Sequence, residues 1–492
     1  MQSTGRHLKL RTVGALAALG MVLSSYSVWS LADSKARERE TTGERRPWTE
    51  RRTEPGARGA SFTRDGTLDV EARLGHSRLD PARDGETFVF VSVRADARAT
   101  GKPAQRHLAI VIDRSGSMSG KRLENAIAAA QGAVQRLPDG DLVSVIEYST
   151  TARELVAPTV LDDDNRNVIA RAIDRLHADG DTCISCALDT AFSTLERRSA
   201  AVNRVLLLSD GEATTGVMDV DGLRAIAARL RRKEATITTV GVDVNFNERL
   251  MAGIADETNG RHYFVENSDG LGRIFERELT GLERTVAKNA RLELELASGV
   301  ELLEVADRAH EGGGRRVSVP LGAFSAGDER TVLARVRVSS GMVGERALVT
   351  ATLRYDDLTR DNPGEEHGEL LATLSSDGSR SAMDPLVEER VTRSATLTTL
   401  DQANRLFEAG NADEARKRVQ SSLSAVAARK ASAIAAAPAP RKAKVAEEFA
   451  RQEAALGQAS AGFATPPPGA DAEREGKAAL KRNQAAMGDM RF

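Results

Sequence analysis

The chain has 492 residues, more than one compact domain usually holds, and 41% of them are hydrophobic, so at least one sizeable core is expected. Aromatic residues make up only 4%, which argues against a carbohydrate-stacking surface or a platform for single-stranded nucleic acid. The formal net charge of −2 comes from 69 basic and 71 acidic residues mixed along the chain. No basic face stands out, and nucleic acid is therefore not an expected partner.

The first 32 residues have the layout of an export signal. Basic side chains and a histidine between residues 6 and 11 precede an apolar run over residues 12–32. Small residues at Ser30 and Ala32 suit cleavage after Ala32, yet the run also approaches the roughly 17–25 residues that span a bilayer. A cleaved signal peptide and a retained inner-membrane anchor are thus both open. Either places the remainder outside the cytoplasm, in the periplasm or cell envelope or secreted.

The charged, breaker-rich residues 33–61 predict a disordered linker. Beyond it, residues 62–104 contain two strand-like stretches, and residues 287–378 contain six more short strands. Between them, residues 105–286 alternate continuous apolar strands with amphipathic helices, the pattern of a doubly wound parallel α/β sheet covered on both faces. Two strands alone cannot bury an apolar face, so the flanking strands predict one antiparallel β-sandwich into which the α/β domain is inserted.

The C-terminal part predicts helices and then disorder. Residues 379–430 carry apolar side chains at helical spacing with a break at Gly410, which indicates a helical hairpin. Residues 431–492 are rich in alanine and contain several prolines. This composition predicts a disordered tail.

The segment HLAIVIDRSGSMSG contains the spacing Asp113-x-Ser115-x-Ser117 at the end of a buried strand. Magnesium and similar hard cations prefer oxygen ligands in near-octahedral geometry. Two serine hydroxyls bind such an ion without neutralising it, while a carboxylate at Asp113 can hold water ligands and hydroxyl protons from behind. The pattern therefore predicts a cation with an open position suited to a carboxylate from another molecule.

Two further residues complete a recognisable set. Thr182 opens a helix in DGDTCISCAL, and Asp210 follows the strand RVLLLSD. The five positions, in this order and each at a strand's carboxyl end, resemble the von Willebrand factor type A (VWA) family of bacterial secreted or envelope proteins. The resemblance implies a metal-ion-dependent adhesion site formed by Asp113, Ser115, Ser117, Thr182 and Asp210. It implies Mg²⁺, with Ca²⁺ or Mn²⁺ as alternatives, and a protein partner that supplies an Asp or Glu.

One position departs from the family pattern. The loop reads Gly180-Asp181-Thr182 instead of the commoner Gly-Gly-Thr. The extra carboxylate of Asp181 could raise cation affinity or favour calcium, but capping of the following helix is the preferred interpretation.

The two cysteines, Cys183 and Cys186, follow the threonine directly. In an oxidising compartment they predict a local disulfide, with two reduced thiols or a redox-active pair as alternatives. No sequence pattern of a catalytic site is found, so we expect a non-enzymatic, metal-dependent adhesion or scaffold module. The rival hypotheses are a redox-active or redox-gated protein and a structural envelope scaffold.

Overall fold

The computed structural model describes residues 60–64, 66–101, 104–243, 247–266, 268–360, 362–464 and 470–491. The predicted export signal and nearly all of the predicted linker lie outside these residues. Five short elements come first along the chain: β1 (Ser61–Arg64), β2 (Leu68–Leu74), β3 (Arg78–Leu79), α1 (Pro81–Asp84) and β4 (Glu86–Ala95).

An α/β domain follows. Its elements are β5 (Arg106–Asp113), α2 (Lys121–Arg136), β6 (Leu142–Tyr148), β7 (Ala152–Val160), α3 (Asp163–Asp174), α4 (Ile184–Arg197), β8 (Val202–Ser209), α5 (Val220–Arg232), β9 (Ala235–Val242), α6 (Glu248–Glu257), β10 (His262–Val265) and α7 (Leu271–Glu283). The strands form one sheet in the order β10-β9-β8-β5-β6-β7. The side chains of β5 alternate between two cores, because Leu108 and Ile110 pack towards α2, α3 and α7 while Ala109 and Val111 pack towards α4, α5 and α6.

The sheet is mixed, whereas the sequence predicted a parallel one. β5, β6, β8, β9 and β10 run parallel, but β7 pairs antiparallel with β6 at the sheet edge. The sequence of β7, ARELVAPTV, did not reveal a strand because its side chains are only half-buried or exposed. Pro158 within it is compatible with an edge strand, where one side makes no ladder hydrogen bonds.

Seven strands follow the α/β domain: β11 (Thr285–Leu296), β12 (Val300–Ala306), β13 (Glu311–Gly313), β14 (Arg316–Ser325), β15 (Glu329–Val338), β16 (Gly344–Asp357) and β17 (Asn362–Leu374). They form two sheets with the N-terminal strands, in the orders β1-β2-β4-β15-β12 and β13-β14-β11-β16-β17-β3. One apolar core lies between the two sheets. The strands before and after the α/β domain thus share a sandwich, and the predicted fold class is confirmed in this respect.

Strand β4 joins the strands that precede the α/β domain to the strands that follow it. Val91 is fully buried and lies opposite Ala72 of β2 on one side and Val332 of β15 on the other. We expect Val91→Ala to lower the free energy of unfolding by roughly 2 kcal/mol, because it removes two buried methyl groups and leaves a cavity. Hydrogen exchange should then accelerate in β2 and in β15 together.

Val168→Ala is the matched control, since Val168 is 56% exposed on α3 and its truncation should change stability by no more than about 0.5 kcal/mol. If Val91→Ala accelerated exchange only in residues 61–95, the two strand groups would not form one cooperative unit.

Four helices follow the sandwich: α8 (Pro385–Glu408), α9 (Ala412–Ala436), α10 (Lys442–Gly462) and α11 (Ala470–Arg491). The prediction of a disordered tail over residues 431–492 is wrong. The C-terminal helices bury alanine-rich faces against α8 and α9 in one core. A few large apolar side chains contribute to it, among them Phe449, Phe463 and Met487. In the described part of the chain no helix combines the length and apolar character needed to cross a bilayer.

Candidate metal centre

The five predicted residues lie at the carboxyl edge of the parallel strands. Asp113 ends β5, and Asp210 comes directly after the neighbouring strand β8. The chain leaves β5 towards β6 on one side and later returns to β8 on the other, so the connecting loops separate at this point and leave a crevice. The loops that carry Ser115 and Thr182 are joined by a hydrogen bond from Gly116 N to Gly180 O of 2.9 Å.

Asp113 is fully buried and held by the protein at both carboxylate oxygens. Its Oδ1 accepts from the backbone N–H of Ser115 at 2.8 Å, and its Oδ2 accepts from the hydroxyl of Ser209 at 2.8 Å. Burial raises the pKa of Asp113 to about 6, because a carboxylate without water loses solvation. The side chain is thus fixed in orientation beneath the two serines.

The other predicted residues converge above Asp113. The hydroxyl oxygens of Ser115 and Ser117 lie 3.1 Å apart, and Ser117 Oγ donates to Asp210 Oδ1 at 2.7 Å. A Cβ placed on Gly211 would lie 3.5 Å from Ser117 Oγ and 3.6 Å from Thr182 Oγ1, so both hydroxyls lie beside this glycine. The structure therefore brings together all five predicted side chains.

The donor set suits a hard divalent cation. Three neutral hydroxyls and two buried carboxylates are the oxygen ligands that Mg²⁺ and Ca²⁺ prefer. Burial also raises the pKa of Asp210, so a cation at this position would relieve the cost of burying both carboxylates. Among the described residues no three His, Cys, Asp or Glu side chains cluster as ligands, and a cation here would depend on the hydroxyls.

Arg122 and Asp243 belong to the same site, although sequence reasoning missed both. Arg122 of α2 donates from Nη1 to Asp210 Oδ2 at 2.9 Å and to the Ser117 carbonyl oxygen at 2.7 Å. Its Nη2 pairs with Asp243, a buried residue just beyond β9 with φ of +66°. Asp243 could have been identified from the sequence, because it directly follows the carboxyl end of strand β9. No sequence pattern indicated Arg122.

The C-terminal helix α11 reaches this edge of the sheet. Arg474 Nη2 lies 3.2 Å from Asp243 Oδ1, so an alternating row of charges runs from Asp210 through Arg122 and Asp243 to Arg474. Lys481 of the same helix forms a buried pair with Glu248 at the start of α6. The segment predicted to be a disordered tail therefore borders the candidate metal centre.

Asp181 does not cap α4, so the preferred interpretation of this residue is wrong. The capping residue is Cys183, whose Sγ accepts from the backbone N–H of Cys186 at 3.3 Å. Asp181 is exposed, and its backbone N–H donates to Thr150 Oγ1 at 3.0 Å.

Cys183 and Cys186 form a disulfide across the first turn of α4, with their Cα atoms 5.3 Å apart. The loop after β8 packs directly on the bridge: Gly216 has φ of +76°, and a Cβ there would lie 2.7 Å from Cys183 Sγ. From this loop Thr214 Oγ1 accepts from Thr182 N at 2.9 Å. The bridge thus supports the loop that fixes Thr182.

We expect reduction of this disulfide to weaken Mg²⁺ binding while changing thermal stability little. The closed ring is short, so its contribution to the free energy of unfolding is on the order of 1–2 kcal/mol. Opening it frees the backbone next to Thr182. The measurement is calorimetric Mg²⁺ titration with and without dithiothreitol.

A Cys186→Ser variant is the control, because it has no bridge and its Mg²⁺ affinity should not respond to dithiothreitol. Alkylation before reduction, followed by mass spectrometry, tests the premise. Two fully alkylated cysteines in protein purified from the envelope would contradict it.

Comparisons with known proteins identify the α/β domain. The family model for the von Willebrand factor type A domain matches residues 107–277. An uncharacterized protein of Synechocystis is 27% identical over 304 residues, which cover 59% of this chain and 71% of that protein. The uncharacterized protein YfbK of Escherichia coli is 27% identical over 219 residues, or 44% of this chain and 38% of that protein.

A mouse protein also matches a shorter segment. Inter alpha-trypsin inhibitor, heavy chain 4 is 31% identical over 119 residues, which cover 23% of this chain and 13% of that protein. The matches to YfbK and to this heavy chain each cover less than half of the relative.

Solved structures share the fold over most of the chain. A von Willebrand factor type A protein from Catenulispora acidiphila aligns with a TM-score of 0.65 and 17% identity, covering 87% of this chain and 97% of that one. The ArnB paralog VWA2 from Sulfolobus acidocaldarius aligns with a TM-score of 0.55 and 17% identity, covering 87% of this chain and 100% of that one. At these identities the likeness shows the fold alone. Residues 107–277 of the chain therefore form a von Willebrand factor type A domain.

Proposed function

We propose that the VWA domain captures a partner protein through a divalent cation, Mg²⁺ foremost, held by Ser115, Ser117, Thr182 and Asp210 and backed by Asp113. The observation that carries this proposal is the convergence of three hydroxyls and two buried carboxylates at the carboxyl edge of the sheet. VWA domains are commonly metal-dependent modules for protein interaction. The cation would supply an open coordination position for an Asp or Glu of the partner.

The charges of the site favour an anionic partner once a cation is present. Asp113, Asp210 and Asp243 carry three negative charges, while Arg122 and Arg474 carry two positive ones. These five side chains alone thus leave one negative charge, which repels a carboxylate. A divalent cation changes this balance to one positive charge, which attracts it.

Arg122 has a positioning role in this proposal. Its guanidinium donates to Asp210 Oδ2. The other carboxylate oxygen, Asp210 Oδ1, accepts from Ser117 and faces the hydroxyls. Because Arg122 partly neutralises Asp210, a bound cation would keep more of its charge for the partner's carboxylate.

The proposed role is non-enzymatic and lies at the cell envelope. Export rests on the basic and apolar residues 1–32, and attachment to the inner membrane through this segment remains part of the proposal. The named relatives are two uncharacterized proteins and one inhibitor heavy chain. No observation favours the redox alternative, since Cys183 is buried and bridged to Cys186.

Quantitative pull-down from envelope extract tests the proposal. Full-length chain immobilised with Mg²⁺ should retain a set of proteins that is lost in EDTA and also lost with Ser117→Ala in Mg²⁺. Ser193→Ala is the matched control, because Ser193 is an exposed serine in the C-terminal half of α4, away from the end that lies next to Thr182, and should retain the same set.

The melting temperature separates this function from a purely structural scaffold. Chelation should abolish capture while the melting temperature falls by no more than a few degrees, the shift that loss of a bound ligand itself causes. Retention of the same proteins in EDTA would refute capture through the cation. A large drop in melting temperature on chelation would instead support a metal that only stabilises the fold.

A further inference from the structure

A polar cavity lined by arginines lies at the end of the parallel sheet opposite to the metal centre. It is bounded by the amino ends of β8 and β9, by α7, and by the turn between β14 and β15, so the VWA domain and the sandwich both line it. Its volume is about 120 Å³. This is the volume of about four waters, enough for a small ion and too little for a nucleotide.

The cavity is lined by more positive than negative charge. Five arginines face two carboxylates there: Arg204, Arg261, Arg277, Arg284 and Arg330, against Glu278 and Asp328. Arg277 and Arg284 are exposed at its mouth, whereas Arg330 is only 6% exposed. An excess of guanidinium groups in a partly dehydrated cavity is unfavourable unless an anion accompanies them.

Both carboxylates are already engaged by the protein. Glu278 Oε2 accepts from Arg204 Nη1 and from Thr238 Oγ1, each at 2.7 Å, and Oε1 accepts from the Tyr263 hydroxyl at 2.8 Å. Asp328 Oδ1 accepts from Arg261 Nη2 at 3.2 Å, and Oδ2 accepts from Ser325 N at 2.9 Å. They have little remaining capacity to accept from the other guanidinium groups.

The buried arginines retain positive charge, and Arg204 also retains a donor that no described residue uses. Arg204 Nε is buried without a hydrogen-bond partner among the described residues. Arg330 donates from Nη2 to the Ala323 carbonyl oxygen at 2.7 Å and lies over the Phe324 ring. Burial, together with the nearby charges of Arg261 and Arg204, lowers the pKa of Arg330 to about 10, so it remains charged at neutral pH.

We infer that this cavity binds a small tetrahedral oxyanion, inorganic phosphate or sulfate or the phosphate group of a small monoester, between the VWA domain and the sandwich. Guanidinium forks match the oxygen spacing of such anions and bind them with charge-assisted hydrogen bonds. The bound anion would connect Arg204 and Arg277 of the VWA domain with Arg330 of the sandwich. It would therefore fasten the inserted domain to its carrier.

Calorimetry and thermal unfolding of the full chain test this inference. The titrants are sodium phosphate, sodium sulfate and glycerol 3-phosphate, each compared with chloride at equal ionic strength and in EDTA so that no metal contributes. We expect about one anion per chain, and a rise in Tm of about 1.5 °C at ten times the Kd relative to chloride. Binding of glycerol 3-phosphate would show that the cavity accepts the phosphate group of a monoester. If glycerol 3-phosphate does not bind while phosphate or sulfate does, the cavity takes free oxyanions alone.

A matched pair of arginine variants locates the site. Arg277→Ala should weaken phosphate binding about tenfold, because it removes one charge-assisted donor. Arg273→Ala removes the same charge one helical turn earlier on α7, where the exposed side chain does not line the cavity, and should leave binding unchanged. Equal effects of the two substitutions, or no difference between phosphate, sulfate and chloride, would overturn the inference.

Discussion

An Asp113→Ala variant should lose measurable Mg²⁺ binding and remain folded. Asp113 is the fully buried carboxylate under Ser115, and both of its oxygens hold neighbouring donors in place. Substitution of a residue that orients the ligands of a metal costs about 10–100-fold in affinity. Because Asp113 also supplies one of the site's negative charges, we expect a loss at the upper end of this range.

Calorimetric titration with Mg²⁺ measures this effect, and parallel titrations with Ca²⁺ and Mn²⁺ identify the preferred cation. Asp174→Ala is the control, since Asp174 is an exposed carboxylate on α3 and its removal changes the net charge equally. Unchanged Mg²⁺ affinity in Asp113→Ala would remove the basis for the proposed metal centre. Circular dichroism shows whether the variant is folded.

Acidification from pH 6.5 to pH 4 should destabilise the protein through His107. This histidine is fully buried in the central strand β5, and its Nε2 lies 2.9 Å from Ser144 Oγ. Burial, with a smaller effect of the Arg198 charge, lowers its pKa from 6.5 to about 4. Well above pH 6.5 neither the folded nor the unfolded chain protonates this ring, so it contributes no pH dependence there.

Between pH 6.5 and pH 4 the unfolded chain binds a proton that the folded chain does not. The free energy of unfolding should therefore fall by about 3 kcal/mol through this one residue, and the loss should level off below the folded pKa. Burial lowers the pKa of His262 to about 3, which adds to the loss in the same direction.

Urea unfolding at a series of pH values measures the effect, and the informative quantity is the slope against pH. His107→Gln should show a shallower slope, because its side chain does not titrate. The control His177→Gln removes an exposed histidine and should keep the wild-type slope. Identical slopes for wild type and His107→Gln would contradict the prediction.

Local sequence patterns sufficed to predict that the side chains of Asp113, Ser115, Ser117, Thr182 and Asp210 lie together at one edge of the sheet. Asp113, Ser115 and Ser117 lie within five residues at the end of an apolar strand, and Asp210 follows another such strand. Since carboxyl ends of parallel strands meet at one edge of a sheet, the positions of these side chains follow from the order of strands and helices. The spacing of Cys183 and Cys186 likewise predicts a bridge, because residues three apart in a helical turn are close.

The order of strands also indicated the insertion of the VWA domain into the sandwich. Two strands before it and several after it cannot each bury an apolar face alone, and β4 indeed pairs with β15. The prediction was less accurate for edge strand β7, whose half-buried side chains lack a clear alternation.

Only the tertiary structure revealed the contacts between residues far apart in sequence. Arg122 reaches Asp210 and Asp243, and Asp243 in turn pairs with Arg474, because β8 and β9 end at the edge of the sheet where α2 and α11 begin. The arginine cavity brings together residues from β8, α7 and β15 in the same way. The helices of residues 442–491 were missed for a related reason: alanine-rich segments contain few large apolar side chains, and they become ordered only when a neighbouring helix face covers them.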